Sequence, residues 1–209
     1  MAAVRTFTLP HYDAYPVQVA LFSDVRNAAF LRSQLLAANP EFDYAFLDAA
    51  MILTPQHLLT ATFLALHAFL NSTHKTRTPH SELVFRLSPN NNIGESYRTF
   101  GLTDTTTRLI AVKLPINADG TRDDSVSNEK VGRHLGSAVE GVSVELSEDG
   151  GDLGRFAEVH RIKKVYKITC AKSTSGKGAK GGPAANAEKK DDRSDIEAVI
   201  LGTMALKGS

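Results

Sequence analysis

Tryptophan is absent from the 209 residues, and Cys170 is the one cysteine. A single thiol excludes an internal disulfide and suits a reducing compartment. No apolar run is long enough to cross a membrane as a helix. No apolar signal core precedes Pro10, so a secretory segment is not expected. Charge of one sign is missing too: 24 Lys and Arg face 23 Asp and Glu, for a formal net charge of +1. Global basicity therefore does not advertise a nucleic-acid partner, and any RNA site has to be a local patch. Lys189 and Lys190 are diluted by Asp191 and Asp192 and do not make a nuclear-import cluster. There is no internal repeat. What remains is ordinary: 42% hydrophobic and 22% charged residues, long enough for one domain with a sizeable core.

The most informative stretch runs from Arg77 to Gly101. Leu83, Phe85 and Leu87 alternate with Val84 and Arg86, a period of two that predicts a half-buried strand. Ser88-Pro89-Asn90-Asn91 breaks it, because proline cannot continue a ladder and asparagine bonds its own backbone. Asn92 is placed to cap a following helix, with Glu95 three residues on as a capping-box partner. Ile93, Tyr97 and Phe100 recur at helical spacing, and Gly101 ends the helix. Asparagine amides and free N–H groups at a helix start suit a phosphate or a base edge. The same residues also make a plain turn with no ligand.

Along the rest of the chain, Val4 to Leu9 predicts an edge strand or arm, and Val17 to Phe22 a buried strand. Ala28, Leu31, Leu35 and Ala38 mark a helix that Asn39-Pro40 ends. Tyr44 to Leu47 predicts another strand. Thr54 and Pro55 open the longest helix as N-cap and first residue; its breadth of apolar positions makes it central and buried. His57 and His67 lie ten residues apart on it, not at the i, i+4 spacing of a helical metal pair, and read as structural or surface residues. Leu109 to Leu114 predicts a strand. A helix follows through Val131, Leu135 and Val139, beginning near Ser125, and Val142, Val144 and Leu146 make a short strand. A further helix from Leu153 to Tyr166 carries the basic residues Arg155, Arg161, Lys163, Lys164 and Lys167.

Lys172 to Arg193 changes character, rich in Gly, Ala, Ser and Lys without apolar periodicity, and predicts a disordered linker. Gly176 to Gly181 lacks the spacing and the preceding strand of a phosphate loop. Ser194 and Glu197 then read as a capping box for a last helix. Ile196, Val199, Ile200, Thr203 and Met204 form its stripe, which can pack on the domain itself or serve a partner. No nucleophile constellation is visible: Gly-x-Ser-x-Gly does not occur, and Asp123-Asp124 and Asp191-Asp192 read as solvated loop charge. The expected architecture is a single α+β domain over residues 1–170, with a mixed or mainly antiparallel sheet of about four strands packed by helices. The linker is expected over 171–193 and the last helix over 194–209.

Thr76-Arg77-Thr78, Glu82-Leu83, Leu87 to Ile93 and Phe100-Gly101 resemble the small kinase-binding subunit of the KEOPS (EKC) complex, the family of the PRPK-binding protein. The likeness continues through Ala20-Leu21-Phe22, Val25, Asn27-Ala28, Ala45 to Asp48, Lys164 to Ile168 and Ile200 to Leu206. It covers most of the chain, and the Leu87–Ile93 run is its most specific piece. The linker is a departure, since the family passes more directly into the last helix. The resemblance implies a non-catalytic subunit, without cofactor, of the complex that makes threonylcarbamoyladenosine in tRNA. Its partners would be the complex's atypical small kinase, through it the catalytic threonylcarbamoyltransferase subunit, and the tRNA 3′ CCA end, with no membrane. Lys75, Arg77, Thr78, Ser88, Asn91, Asn92 and Ile93 are the expected RNA-binding residues. Ile196, Val199, Ile200, Thr203 and Met204 are the expected kinase interface. A nuclear and cytoplasmic location and a link to telomere maintenance are implied as well. Two alternatives stay open: a kinase-stabilising scaffold without RNA contact, and a small-ligand enzyme using the Asn-rich turn, with His74 and His80 near it.

Overall fold

Every side chain from Val17 to Phe22 is buried, alternate ones on opposite faces, and the fold is arranged to cover both. In the computed structural model, which describes residues 1–117, 119–168 and 185–207 (185–192 as backbone only), this segment is the centre of a five-stranded sheet. In chain order the elements are β1 Arg5–Phe7, β2 Val17–Ser23, α1 Ala28–Leu36, β3 Ala45–Asp48, α2 Pro55–Leu70, α3 Pro79–Leu87 and α4 Ile93–Phe100. Then come β4 Leu109–Lys113, α5 Asn128–Ala138, β5 Val142–Val144, α6 Val159–Val165 and α7 Ala185–Leu206. Short 3₁₀ turns occupy Pro40–Phe42, Ala49–Met51 and Gly151–Gly154. Cys170, the Gly176–Gly181 run and residues 171–184 of the expected linker lie outside the described residues.

The sheet order is β1-β2-β4-β3, with β5 also paired to β2. All pairs are antiparallel. β1 and β5 share one edge of β2, opposite Val17–Val19 and Leu21–Ser23 respectively. Val17, Val19 and Leu21 join Ala45, Leu47, Ile110 and Val112 in a core with residues of α2, α3 and α7. Ala20 and Phe22 join Phe46, Leu109 and Ala111 in a second core with Ala28 and Leu31 of α1 and Val131 and Leu135 of α5. A sheet covered on both faces explains why β2 reads as an unbroken apolar run rather than an alternating one. The architecture is α+β in a single domain, as expected, with five strands in the sheet where about four are expected.

Three local readings are corrected. Residues 83–87 are helical, not a strand: α3 starts at Pro79 with Thr78 as N-cap, whose Oγ1 accepts from Ser81 N–H at 3.1 Å. The Thr-Pro cap outweighs the Leu83/Phe85/Leu87 alternation because α3 is buried all round, Val84 and Arg86 included. The helix from Leu153 to Tyr166 breaks into the Gly151–Gly154 turn and α6. Gly154 is needed there, since a Cβ on it would collide with the Leu53 carbonyl. α7 begins at Ala185, so Ser194 lies inside it and caps nothing. Glu197 instead accepts from Thr54 Oγ1, the N-cap of α2. Arg193, the last residue of the expected linker, is also in α7 and donates to the carbonyls of Leu53 and Gly154.

Ile196, Ile200 and Met204 of α7 are 2%, 0% and 0% exposed, whereas Val199 is 47% exposed. Ile200→Ala should therefore cost about 2–5 kcal/mol in urea denaturation. Val199→Ala should stay within about 0.5 kcal/mol. Equal losses at both positions would contradict this orientation of α7.

Candidate functional site

Glu82 is 0% exposed within the otherwise apolar middle of α3. One carboxylate oxygen accepts from the N–H groups of Lys75 (2.9 Å) and Thr76 (3.0 Å) and from the Thr76 hydroxyl (2.9 Å). The other accepts from Arg86 Nε at 2.9 Å, one helical turn on. A buried carboxylate is tolerated when donors satisfy it, and removing one partner of such a pair costs about 3–5 kcal/mol. Glu82 thus fixes the backbone of the loop that presents Lys75 and Arg77. Both of these side chains are exposed and make no ion pair with a described residue. Thr78 is committed to the cap, its hydroxyl donating to Ser81 Oγ at 2.9 Å.

The Asn-rich turn lies at the other end of α3, about 13 Å away at 1.5 Å per residue for nine residues. Ser88 is buried, and its Oγ accepts from Asn90 N–H. Asn90 Oδ1 accepts from Asn92 N–H at 2.9 Å, and Asn92 Oδ1 caps α4 by accepting from Glu95 N–H at 2.9 Å. The predicted cap is therefore present, but Glu95 pairs with Arg98 instead of closing a box. The side-chain oxygens of Asn90 and Asn92 are committed to the turn, while Asn91 and Ile93 stand exposed beside them. Gly101 does end α4, with an extended φ of −77° rather than a left-handed one. A Cβ there would lie 2.6 Å from the Tyr97 carbonyl. α4 folds back along α3, and Tyr97 donates to Ser81 Oγ at 2.8 Å. The expected RNA-binding residues accordingly fall into two groups, Lys75, Arg77 and Thr78 at one end of α3 and Ser88 to Ile93 at the other.

Two buried histidines brace this frame. His57 Nδ1 accepts from Leu53 N–H (3.2 Å), so its proton sits on Nε2, 2.9 Å from the Tyr166 hydroxyl. Tyr166 in turn donates to the Leu87 carbonyl, tying the end of α6, with Lys164 and Lys167 exposed, to the start of the Asn-rich turn. Burial pushes the His57 pKa down to about 3. His80 Nε2 accepts from Leu114 N–H (3.0 Å), and its Nδ1 donates to Asp43 (3.0 Å). Burial lowers the His80 pKa against the opposing pull of Asp43. Burial works against the charge of Asp43, yet His80 and Lys113 outweigh it and hold the carboxyl below its usual range. His80 is thereby a fastening between α3 and the end of β4. Reading the sequence did not reveal Glu82, Arg86, His57 or Tyr166 as organisers; the one local signal was the i, i+4 spacing of Glu82 and Arg86, visible only once the segment is taken as a helix.

Of the expected kinase-contacting residues, Ile196, Ile200 and Met204 are turned into the chain's own core, so the outer side of α7 offers Val199 and Thr203. Leu206 at the end of the helix is 77% exposed. Thr203 donates to the Val199 carbonyl at 2.7 Å. Among the described residues no three His, Cys, Asp or Glu side chains gather as metal ligands, and no helix is long and apolar enough to cross a membrane.

The described surfaces consist of a packed α3–α4 pair with a polar loop at each end, beside a terminal helix with an inner and an outer side. The family model described as "Kinase binding protein CGI-121" matches residues 22–208. An "EKC/KEOPS complex subunit CGI121" from Phaeosphaeria nodorum is 53% identical over 232 residues, covering 99% of this chain and 100% of the relative. One from Aspergillus terreus is 40% identical, covering 100% of this chain and 98% of the relative. One from Schizosaccharomyces pombe is 33% identical over 77% of this chain and 86% of the relative. The chain belongs to the CGI-121 family of kinase-binding proteins.

The buried neutral histidines generate a pH dependence. Unfolded His57 takes up a proton below about pH 6.5, whereas the folded residue resists until about pH 3. The unfolded state therefore binds more protons across that window, and stability falls as pH falls through it, by up to about 1.4 kcal/mol per pH unit per group. His57→Gln keeps an acceptor and a donor but carries no titratable proton. Urea denaturation between pH 4 and 7 should show a shallower loss of stability in His57→Gln than in the parent; parallel curves would contradict a neutral buried His57.

Proposed function

We propose that this chain is a non-catalytic subunit of an EKC/KEOPS complex that binds the complex's atypical kinase and helps recruit tRNA by its single-stranded 3′ end. The observation that carries the reading is the likeness over nearly the full length of both chains to relatives named as EKC/KEOPS complex subunit CGI121. The description of the matched family as kinase-binding supports the kinase as the direct partner. The outer side of α7, with Val199, Thr203 and Leu206, is its proposed contact. Through the kinase the chain joins the subunit that performs the transfer.

For RNA, the supporting features are exposed donors without acidic partners among the described residues. Lys75 and Arg77 suit phosphates, and the amide N–H₂ groups of Asn91 and Asn92 suit base edges. Single-stranded ends bend to follow such scattered contacts, so the separation of the two groups along α3 is compatible with one strand laid beside the helix. The same separation, and the use of Asn90 and Asn92 oxygens inside the turn, favours the second reading of a kinase scaffold that never touches RNA.

Two measurements test the kinase contact and the RNA contact in turn. Val199→Glu places a carboxylate on an exposed position and should abolish kinase binding in calorimetry while the fold persists; retained binding would remove α7 from the interface. Arg77→Ala with Asn92→Ala should weaken tRNA binding at fixed salt at least about tenfold, in line with about 1–3 kcal/mol for such contacts. Unchanged affinity in a folded double variant would leave the scaffold reading.

A further inference from the structure

One buried series of bonds reaches the loop at each end of α3 and the end of α7. Glu82 holds the Lys75 and Thr76 amides on one side and Arg86 on the other. Arg86 donates a second bond, at 2.9 Å, to the carbonyl of Lys207, just beyond the last residue of α7. Lys207 returns to α3, its Nζ donating to the carbonyls of Phe85 and Ser88 and lying 3.5 Å from the centre of the Phe85 ring. Glu82, Arg86 and Lys207 are 0%, 7% and 8% exposed. Water cannot readily replace any bond in such a series, so a shift of one member has to be followed by the next. The groups themselves are stiff: a planar carboxylate bonded through both oxygens, and a planar guanidinium bonded at two of its nitrogens. Ser88 then carries the constraint into the Asn-rich turn, because its Oγ accepts from Asn90 N–H.

We propose that Glu82, Arg86 and Lys207 are positioning residues that couple the end of α7 to both polar loops, so that a partner on α7 and RNA on the loops alter each other's affinity. The identity of the two partners rests on the function proposed above; the coupling within the chain does not. By thermodynamic reciprocity, the factor by which the kinase changes RNA affinity equals the factor by which RNA changes kinase affinity.

The internal coupling is tested first, by amide hydrogen exchange in the full chain. Lys207→Met still covers the Phe85 ring but donates nothing to Phe85 or Ser88. The Lys75 and Thr76 amides, at the far end of α3 from Lys207, should exchange at least about fivefold faster, while β4 amides keep their rates. Unchanged rates at Lys75 and Thr76, or an equal acceleration across β4 that marks general destabilisation, would overturn the proposal. The second test titrates the kinase with and without saturating unmodified tRNA, then exchanges the roles. The expected result is one shared change of at least about fivefold that shrinks in Lys207→Met, where the side-chain bonds are lost and the Arg86 bond to the residue's carbonyl remains. If both partners bind yet leave each other's affinity untouched, the coupling is refuted and the functional reading stands. If tRNA does not bind at all, the RNA part of that reading fails, and the two-partner form of the proposal fails with it.

Discussion

A carboxylate buried among apolar side chains has to be surrounded by donors or lose its charge, and Glu82 is surrounded. Meeting that requirement dictates the course of the chain around it. The loop before α3 must bring two amides and a hydroxyl to one oxygen, and Arg86 must bring its Nε to the other. Arg86 is then itself a buried cation and needs the Lys207 carbonyl. The end of α7 is set against α3 by this sequence of obligations as much as by apolar contact.

The sheet imposes a second constraint. With both faces covered, by α2, α3 and α7 on one side and α1 and α5 on the other, its central strands hold little that a partner can reach. The exposed side chains lie instead in the loops at the ends of α3 and on the outer side of α7, where the proposed contacts are placed. α7 serves the fold with Ile196, Ile200 and Met204, which leaves its other side available for association. Buried and exposed positions are thus divided by helix side rather than by segment.

Legibility in the sequence followed the range of the forces involved. Caps and apolar periodicity act within a few residues, so Thr54-Pro55 at the start of α2, the cap at Asn92 and the buried Ile196, Ile200 and Met204 of α7 were readable, though Val199 and Thr203 of the same expected stripe turn outward. The α3 segment failed because a helix buried on every side has no polar face to betray its period, and Leu83, Phe85 and Leu87 then imitate a strand. The Thr78-Pro79 start was the better guide. Ser194 and Glu197 had the form of a capping box, but Glu197 serves the start of another helix, α2, a contact across the fold that no local pattern encodes. The candidate residues could be named from the sequence, the buried Ser88 and the apolar Ile93 among them, but their arrangement could not. Their two groups are joined through Glu82, Arg86 and Lys207, and the last of these lies 121 residues from Arg86.

The proposed role is one of position rather than chemistry, with a flexible RNA end and a kinase held in fixed relation. The most direct test is a titration of the purified chain with an intact tRNA and with the same tRNA lacking its 3′ CCA, at one salt concentration, since phosphate contacts alone would make affinity depend on salt rather than on the end. Binding that is lost on trimming agrees with the account. Equal affinity for the two RNAs, or no affinity for either, would contradict it and return the Asn-rich turn to a purely structural part.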